Sequence, residues 1–216
     1  MIAPMPEPAA NKATSDHAPL STARRHARHL VAKITPHDTT EAGHQTEVLE
    51  WIDSGAPLWR MAKPATPPMH LVSYAVVLDP TNAQVLLVDH RKAELWLPTG
   101  GHVEPGEHPA VTARRELSEE LAITPEPYPH YDDHPVFVTV TATVGNETSH
   151  TDVSLWFAFA TTSDTPLQPD PDEFVDTRWW PIDAVAHRPG TRFDPHLPRF
   201  LAKIGDQAQE FGILER

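Results

Sequence analysis

Apolar and polar positions along the chain change rhythm several times, and each rhythm predicts an element. From Ser21 to Ile34, residues Ala27, Leu30, Val31 and Ile34 recur at helical spacing behind a serine that can cap a helix. A second helix opens at Asp38, with Glu41 three residues on as a capping box. Val48, Leu49 and Ile52 form its apolar strip, and Ser54 and Gly55 end it. Lys63 to Pro68 is a proline-rich linker. His70 to Leu78 and Gln84 to His90 have strand character, and the turn residues Asp79 to Asn82 between them predict a hairpin. Helical spacing returns at Ala110, Ala113, Leu117 and Leu121, behind Pro109, which suits a first helical turn. Val136 to Val144 alternates as a half-buried strand does, Gly145-Asn146 reads as a turn, and Asp152 to Ala160 as a further strand. Arg178 to Pro181 predicts a late strand and Ile182 to Ala186 a short helix. Pro195 to about Gln209 predicts a last helix, with Leu197, Phe200, Leu201 and Ile204 inward.

Composition narrows the picture. Residues 1–20 are rich in proline and alanine and lack the apolar content to order themselves, which predicts a disordered tail. Residues 21–62 form a helical extension packed against a main domain over 69–216, because so small a unit is marginal alone. The net charge of −13 excludes a large nucleic-acid footprint, which needs clustered Lys and Arg, so no stable nucleic-acid partner is expected. Arg24, Arg25, His26 and Arg28 give the first helix a basic side that reads as a solvated face. With 0 cysteines there is no disulfide framework and no thiolate chemistry. Neither a secretory segment nor a long apolar run is present, so the expectation is a cytoplasmic protein without a membrane partner.

The chemistry concentrates between Gly101 and Ile123. Gly100, Gly101 and Gly106 read as a glycine-rich, acidic loop that lets the backbone approach a ligand. Glu116, Glu119 and Glu120 follow at i, i+3 and i+4, on one helical face. Like charges at that spacing repel by roughly 0.2–0.5 kcal/mol per pair. Arg115 can pair with Glu119, but one arginine does not neutralise three carboxylates. A hard divalent cation, Mg²⁺ or Mn²⁺, does.

Gly101, Glu107, Arg115, Glu116, Leu117, Glu119, Glu120 and Ile123 stand in the register of the box that marks the Nudix hydrolases, with Ala122 where that family usually has glycine. The chain resembles that family beyond the box, through the strand, turn, strand, Trp96-Leu97-Pro98 and Gly100-Gly101 series. The resemblance implies an α+β fold, an α/β/α sandwich with a mixed central sheet, carrying the helical extension as an addition. It implies a Mg²⁺-dependent hydrolase that cleaves a pyrophosphate linkage. Glu119 and Glu120 would then ligate the metal, and Glu116 would serve as ligand or general base. Arg115 would orient the glutamates, Glu107 would support the loop, and the Gly100 carbonyl and Glu173 would be further metal ligands. Gly100, Gly101, His102 and Trp96 are candidates for substrate contact, and His90 flanks the same site. At Ala122 the expectation is a helix that runs on toward Thr124, because alanine is the best helix former and a left-handed alanine is strained.

Substrate class rests on residues outside the box. The resemblance places an ADP-ribose marker proline near Val138, and the nearest proline is Pro135; the dinucleoside polyphosphate tyrosine has no match at Val140, Thr141 or Ala142. The NADH signature is missing, and the isopentenyl diphosphate isomerases look to a cysteine that this chain lacks. A nucleoside triphosphate or similar small nucleotide remains. ADP-ribose or nucleotide-sugar cleavage is the alternative, and a nucleotide-sensing module without turnover the alternative of another class. A homodimer is compatible with the sequence.

Overall fold

The computed structural model describes residues 17–63, 65–143, 149–187 and 192–210. Two helices, α1 (His17–Lys33) and α2 (Thr39–Asp53), precede strands β1 (Met69–Asp79), β2 (Gln84–His90), β3 (Leu95–Leu97) and β4 (Thr99–His102). Helix α3 (Pro109–Leu121) follows, then β5 (Glu126–Pro127), β6 (Phe137–Thr143), β7 (His150–Ala160), β8 (Phe174–Pro181), α4 (Ile182–His187) and α5 (Leu197–Glu210). The first helix thus begins at His17, inside the stretch expected to be disordered. The rest of that tail, residues 1–16, and the Gly145-Asn146 turn lie outside the described residues.

The eight strands among the described residues form one mixed sheet. β1 and β2 make the expected hairpin, with Val77 opposite Leu86. β1 also lies parallel to β7, with His70 beside Asp152, and antiparallel to β4, with Ser73 opposite Gly101. Alternation along β1 sends Leu71, Ala75 and Val77 to one apolar cluster and Val76 and Leu78 to the other. The first cluster takes in Leu117 and Leu121 of α3 together with Val31, Val48 and Ile52 of α1 and α2. The second takes in Leu197, Phe200, Leu201 and Ile204 of α5. Helices therefore cover both faces of the sheet.

The N-terminal helices share the core of the sheet. Arg24 donates to the carbonyls of Ile52 (2.7 Å) and Ala56 (2.6 Å) at the end of α2, and Arg28 pairs with Asp53 at 2.7 Å. Those two members of the basic side therefore act within the chain. Asp38 caps α2 as expected, accepting from the Glu41 N–H at 2.8 Å. Its carboxylate also takes both arms of Arg199 from α5, at 2.6 and 2.7 Å. Glu41, fully buried, receives the His37 N–H at 2.6 Å and the Lys203 ammonium at 2.8 Å. Arg199 and Lys203 both sit over the Phe137 ring of β6. No helix among the described residues is long and apolar enough to cross a membrane.

Two local features differ from expectation. Gly100 and Gly101 are strand residues of β4, not loop residues. A Cβ on Gly100 would lie 2.5 Å from the Ser73 carbonyl oxygen of β1, so glycine is what lets the two strands close there. The helix also does not run on to Thr124. It ends at Leu121, and Ala122 is left-handed (φ 56°, ψ 37°). The N–H groups of Ala122 and Ile123 both turn back to the Leu117 carbonyl, and Ile123 is then buried. Burying isoleucine contributes about 1.5–3 kcal/mol, against about 1–2 kcal/mol for a left-handed alanine. The core contact outweighs the strain, so the left-handed turn forms without a glycine.

Candidate active site

The site grows from α3 and the segment before it. His108 caps the helix by accepting from the Ala110 N–H at 3.2 Å, and Pro109 opens it. Ala110, Ala113, Leu117 and Leu121 bury one face, which leaves Arg115, Glu116, Glu119 and Glu120 on the other side. Arg115 is the organising cation. Its Nε and Nη2 reach the two oxygens of Glu107 at 3.1 and 3.3 Å, and its Nη1 reaches Glu116 at 2.8 Å and Glu119 at 3.1 Å. These bonds hold the guanidinium above its ordinary pKa, the pair with Glu107 contributing most. Glu107 is fixed further by the Thr112 hydroxyl at 2.7 Å and the Glu104 N–H at 3.2 Å. Burial would raise its pKa, but the Arg115 and Thr112 hydrogen bonds outweigh that and hold the carboxyl below its usual range.

Glu116 lies across Gly101, its carboxylate in the space where a Cβ would stand. Burial raises its pKa despite Arg115. Glu120 is more perturbed. Burial, followed by the nearby charges of Glu116, Glu173, Asp170 and Glu119, pushes it up to about 9, and its Oε2 is buried without a hydrogen-bond partner. The acidic loop after β7 is tied to this end of α3 by the Asp170 N–H to the Glu120 carbonyl and the Gln168 N–H to the Leu121 carbonyl, both 2.9 Å. That docking brings Glu173 within electrostatic reach of Glu120. Glu173 also stands 3.9 Å from His90 Nε2, and its carbonyl accepts from the Arg91 N–H. Burial lowers the His90 pKa and the Glu173 charge opposes it.

The arrangement therefore brings together Arg115, Glu116, Glu119, Glu120, Gly101 and Glu173, with Gly100 alongside in β4. Two further candidates stand elsewhere. Trp96 packs edge-on against Trp180 at 5.1 Å, in the second apolar cluster, with Arg178 over its face. His102 meets His70, ring centroids 4.8 Å apart, in a group with His150 and Asp152. Burial, then the Arg60 charge, lowers its pKa to about 4. The sequence reading missed His70, His150 and Asp152, because the signal for them is the pairing of β1 with β7 rather than any local pattern.

The NUDIX domain family matches residues 69–202, well over half of the chain. The chain belongs to the Nudix family of hydrolases. Two isopentenyl-diphosphate Delta-isomerases from strains of Cereibacter sphaeroides are 35% identical to it over 113 residues, covering 50% of this chain. The match spans 62% of the length of those isomerases, less than two thirds. Among solved structures, the dihydroneopterin triphosphate pyrophosphohydrolase of E. coli superposes with a TM-score of 0.50 at 16% identity, over 70% of this chain and 100% of that one. A NUDIX family hydrolase from Clostridium perfringens gives 0.48 at 19% identity, over 66% and 97%. These likenesses concern the fold.

Proposed function

We propose that this chain is a pyrophosphohydrolase that requires Mg²⁺ or Mn²⁺ and cleaves a phosphoanhydride in a nucleoside triphosphate or similarly small nucleotide. One observation carries this reading: Glu120 has a buried, unpartnered oxygen among other carboxylates, while Arg115 is already engaged by Glu107, Glu116 and Glu119. Surplus negative charge with a bare carboxylate oxygen fits a hard cation that seeks oxygen ligands. Glu116, Glu119 and Glu120 would hold it, with the Gly100 carbonyl and Glu173 as further donors. Bound there, the cation supplies charge neutralisation to the phosphates and a lowered pKa to a coordinated water.

The chain's own residues do the rest. Arg115 fixes the angle of Glu116 and Glu119, and Glu107 fixes Arg115. Burial raises both Glu116 and Glu120 above the ordinary carboxylate range, so Glu120 would give up its proton on ligating the cation, and Glu116 would serve as a further ligand or as the base that takes a proton from the attacking water. Because the anhydride repels nucleophiles through its charge, positioning and neutralisation supply most of the rate.

A second reading draws on the 35% identity to the isomerases. Both substrate classes carry a diphosphate, which the same acidic, cation-binding site would hold. The absence of any cysteine favours hydrolysis. Incubating the purified protein with a panel of nucleoside triphosphates, ADP-ribose, nucleotide sugars and isopentenyl diphosphate, with products identified by mass, decides between them. Cation-dependent release of phosphate or pyrophosphate supports the hydrolase. An isomerised diphosphate without hydrolysis supports the second reading, and tight nucleotide binding without any product supports a sensing module. ADP-ribose or a nucleotide sugar as the best substrate would move the assignment to that branch.

A further inference from the structure

We propose that His70, His102, His150 and Asp152 form a second cation site, built for a zinc-class divalent ion rather than for Mg²⁺. One ligand atom from each lies within 4.8 Å of the others. The placement follows from register. His70 of β1 stands beside Asp152 of β7, His150 is two residues before Asp152, and His102 of β4 is opposite Val72, two residues after His70. Side chains alternate along a strand, so all four share one face of the sheet. Ser73 and Gly101, opposite one another on those strands, belong to the other face: Ser73 Oγ donates to the Pro109 carbonyl of α3, and Gly101 lies under Glu116. The histidine cluster is thus separate from the glutamate site, although Gly101 and His102 are neighbours in the chain.

Hydrogen bonding on the far side of two rings determines what points inward. His70 Nδ1 is 2.9 Å from the Pro67 carbonyl, which only accepts, so the proton sits on Nδ1 and Nε2 carries a lone pair. His150 Nδ1 is 2.8 Å from Thr143 Oγ1, a hydroxyl that also reaches the His150 carbonyl at 3.0 Å. With that hydrogen on the carbonyl, Thr143 accepts from Nδ1 and leaves His150 Nε2 as a lone pair. Backbone and hydroxyl partners on the outer nitrogen are how metal-binding imidazoles are oriented. Both Nε2 atoms face the same acceptor, Asp152 Oδ1, at 3.4 and 3.3 Å. For His70, a ring-nitrogen lone pair then meets a carboxylate oxygen. His70 Nε2, His102 Nε2 and Asp152 Oδ1 are buried without a hydrogen-bond partner, and His70 has no exposed surface.

A cation at the centre resolves the conflict. Ligands about 2.0–2.1 Å from a tetrahedral ion stand roughly 3.3–3.4 Å from one another, the spacing seen from Asp152 to both rings. Three imidazoles and one carboxylate suit Zn²⁺ and its transition-metal neighbours, whereas Mg²⁺ prefers an all-oxygen octahedron. The ion would tie β1, β4 and β7 together at one end of the sheet and so steady the strand that carries Gly100 and Gly101.

The test uses the full chain, stripped of metal and titrated with Co²⁺ and with Zn²⁺ in a large excess of Mg²⁺. The expected result is one Co²⁺ per chain with the visible absorption of a four-coordinate centre, displaced by Zn²⁺ and not by Mg²⁺. Asp152→Asn and His150→Gln should each weaken Zn²⁺ by about tenfold or more, and the Glu119→Gln/Glu120→Gln double variant should keep it. If Asp152→Asn fails to fold by circular dichroism, His150→Gln decides alone. No stoichiometric binding by the wild type overturns the site and leaves Asp152 paired with a protonated imidazole. Displacement by Mg²⁺ overturns it, and so does loss of the signal in the glutamate double variant with retention in the histidine and aspartate variants.

Discussion

The carboxylate of Glu116 occupies the space that a side chain on Gly101 would need. The neighbouring glycine is constrained differently: a Cβ on Gly100 would meet backbone, the Ser73 carbonyl oxygen at 2.5 Å and the Tyr74 Cα at 3.1 Å. The two positions should therefore separate function from stability. Gly101→Ala displaces the end of a flexible side chain and should lower kcat by about a hundredfold, as misplacing a reacting group does, with little change in melting temperature. Gly100→Ala forces strands β1 and β4 apart and should cost about 1–3 kcal/mol. Denaturant melts and turnover of both variants check the contrast.

Glu120→Gln should remove most of the activity while leaving the metal-free protein at least as stable as the wild type. Unfolded, Glu120 ionises near its ordinary value of 4.5; folded, it holds its proton up to about 9. Between those values the folded state binds a proton that the unfolded state has released, so this group's contribution to stability falls as pH rises from about 5 toward 9. In chelator, the melting temperature of the Gln variant should decline less steeply over that window. A wild-type slope in the variant would remove Glu120 as the source.

The left-handed Ala122 makes a signed prediction. Ala122→Gly relieves about 1–2 kcal/mol of steric strain and adds back part of it as unfolded-chain entropy, for a net gain of roughly 0.5–1 kcal/mol. A rise in the denaturation midpoint is the expected outcome, and a fall would place the strain elsewhere.

The buried pair of Lys203 and Glu41 links α5 to α2 at 2.8 Å. Lys203→Met leaves the Glu41 charge without its partner and should cost about 3–5 kcal/mol, whereas Lys203→Met with Glu41→Gln should recover most of that. A double-mutant cycle on the melting curves measures the coupling. Additive effects would mean that Lys203 and Glu41 do not stabilise one another.

What was legible in the sequence was local. Asp38 and Glu41 announced the start of α2, Gly55 its end, and the strand character of His70 to Leu78 and Asp152 to Ala160 announced β1 and β7. The carboxylates of α3 were legible for the same reason, since helical spacing alone puts them on one side. The far partners of those residues were not legible. Glu41 could be read as a cap, but nothing nearby in the chain says that Lys203 meets it. His102 could be read as a candidate for substrate contact within the box, yet the strand that carries it turns the ring to the other face, toward residues that only the parallel pairing of β1 with β7 brings close. Gly100 and Gly101 were expected in a loop because glycine is a loop residue. Their role as strand residues depends on Ser73 and Glu116, which come from elsewhere. Ala122 was misjudged because propensity was weighed without the burial of Ile123.

The most direct test of the central claim is the dependence of turnover on added cation, measured on the best substrate of the panel with wild type and Glu120→Gln. Turnover should be absent in excess chelator, rise to saturation with Mg²⁺ or Mn²⁺, and stay low in the variant at every cation concentration. Full turnover in chelator, or a variant that matches the wild type, would contradict the assignment of these glutamates to a cation that promotes the hydrolysis.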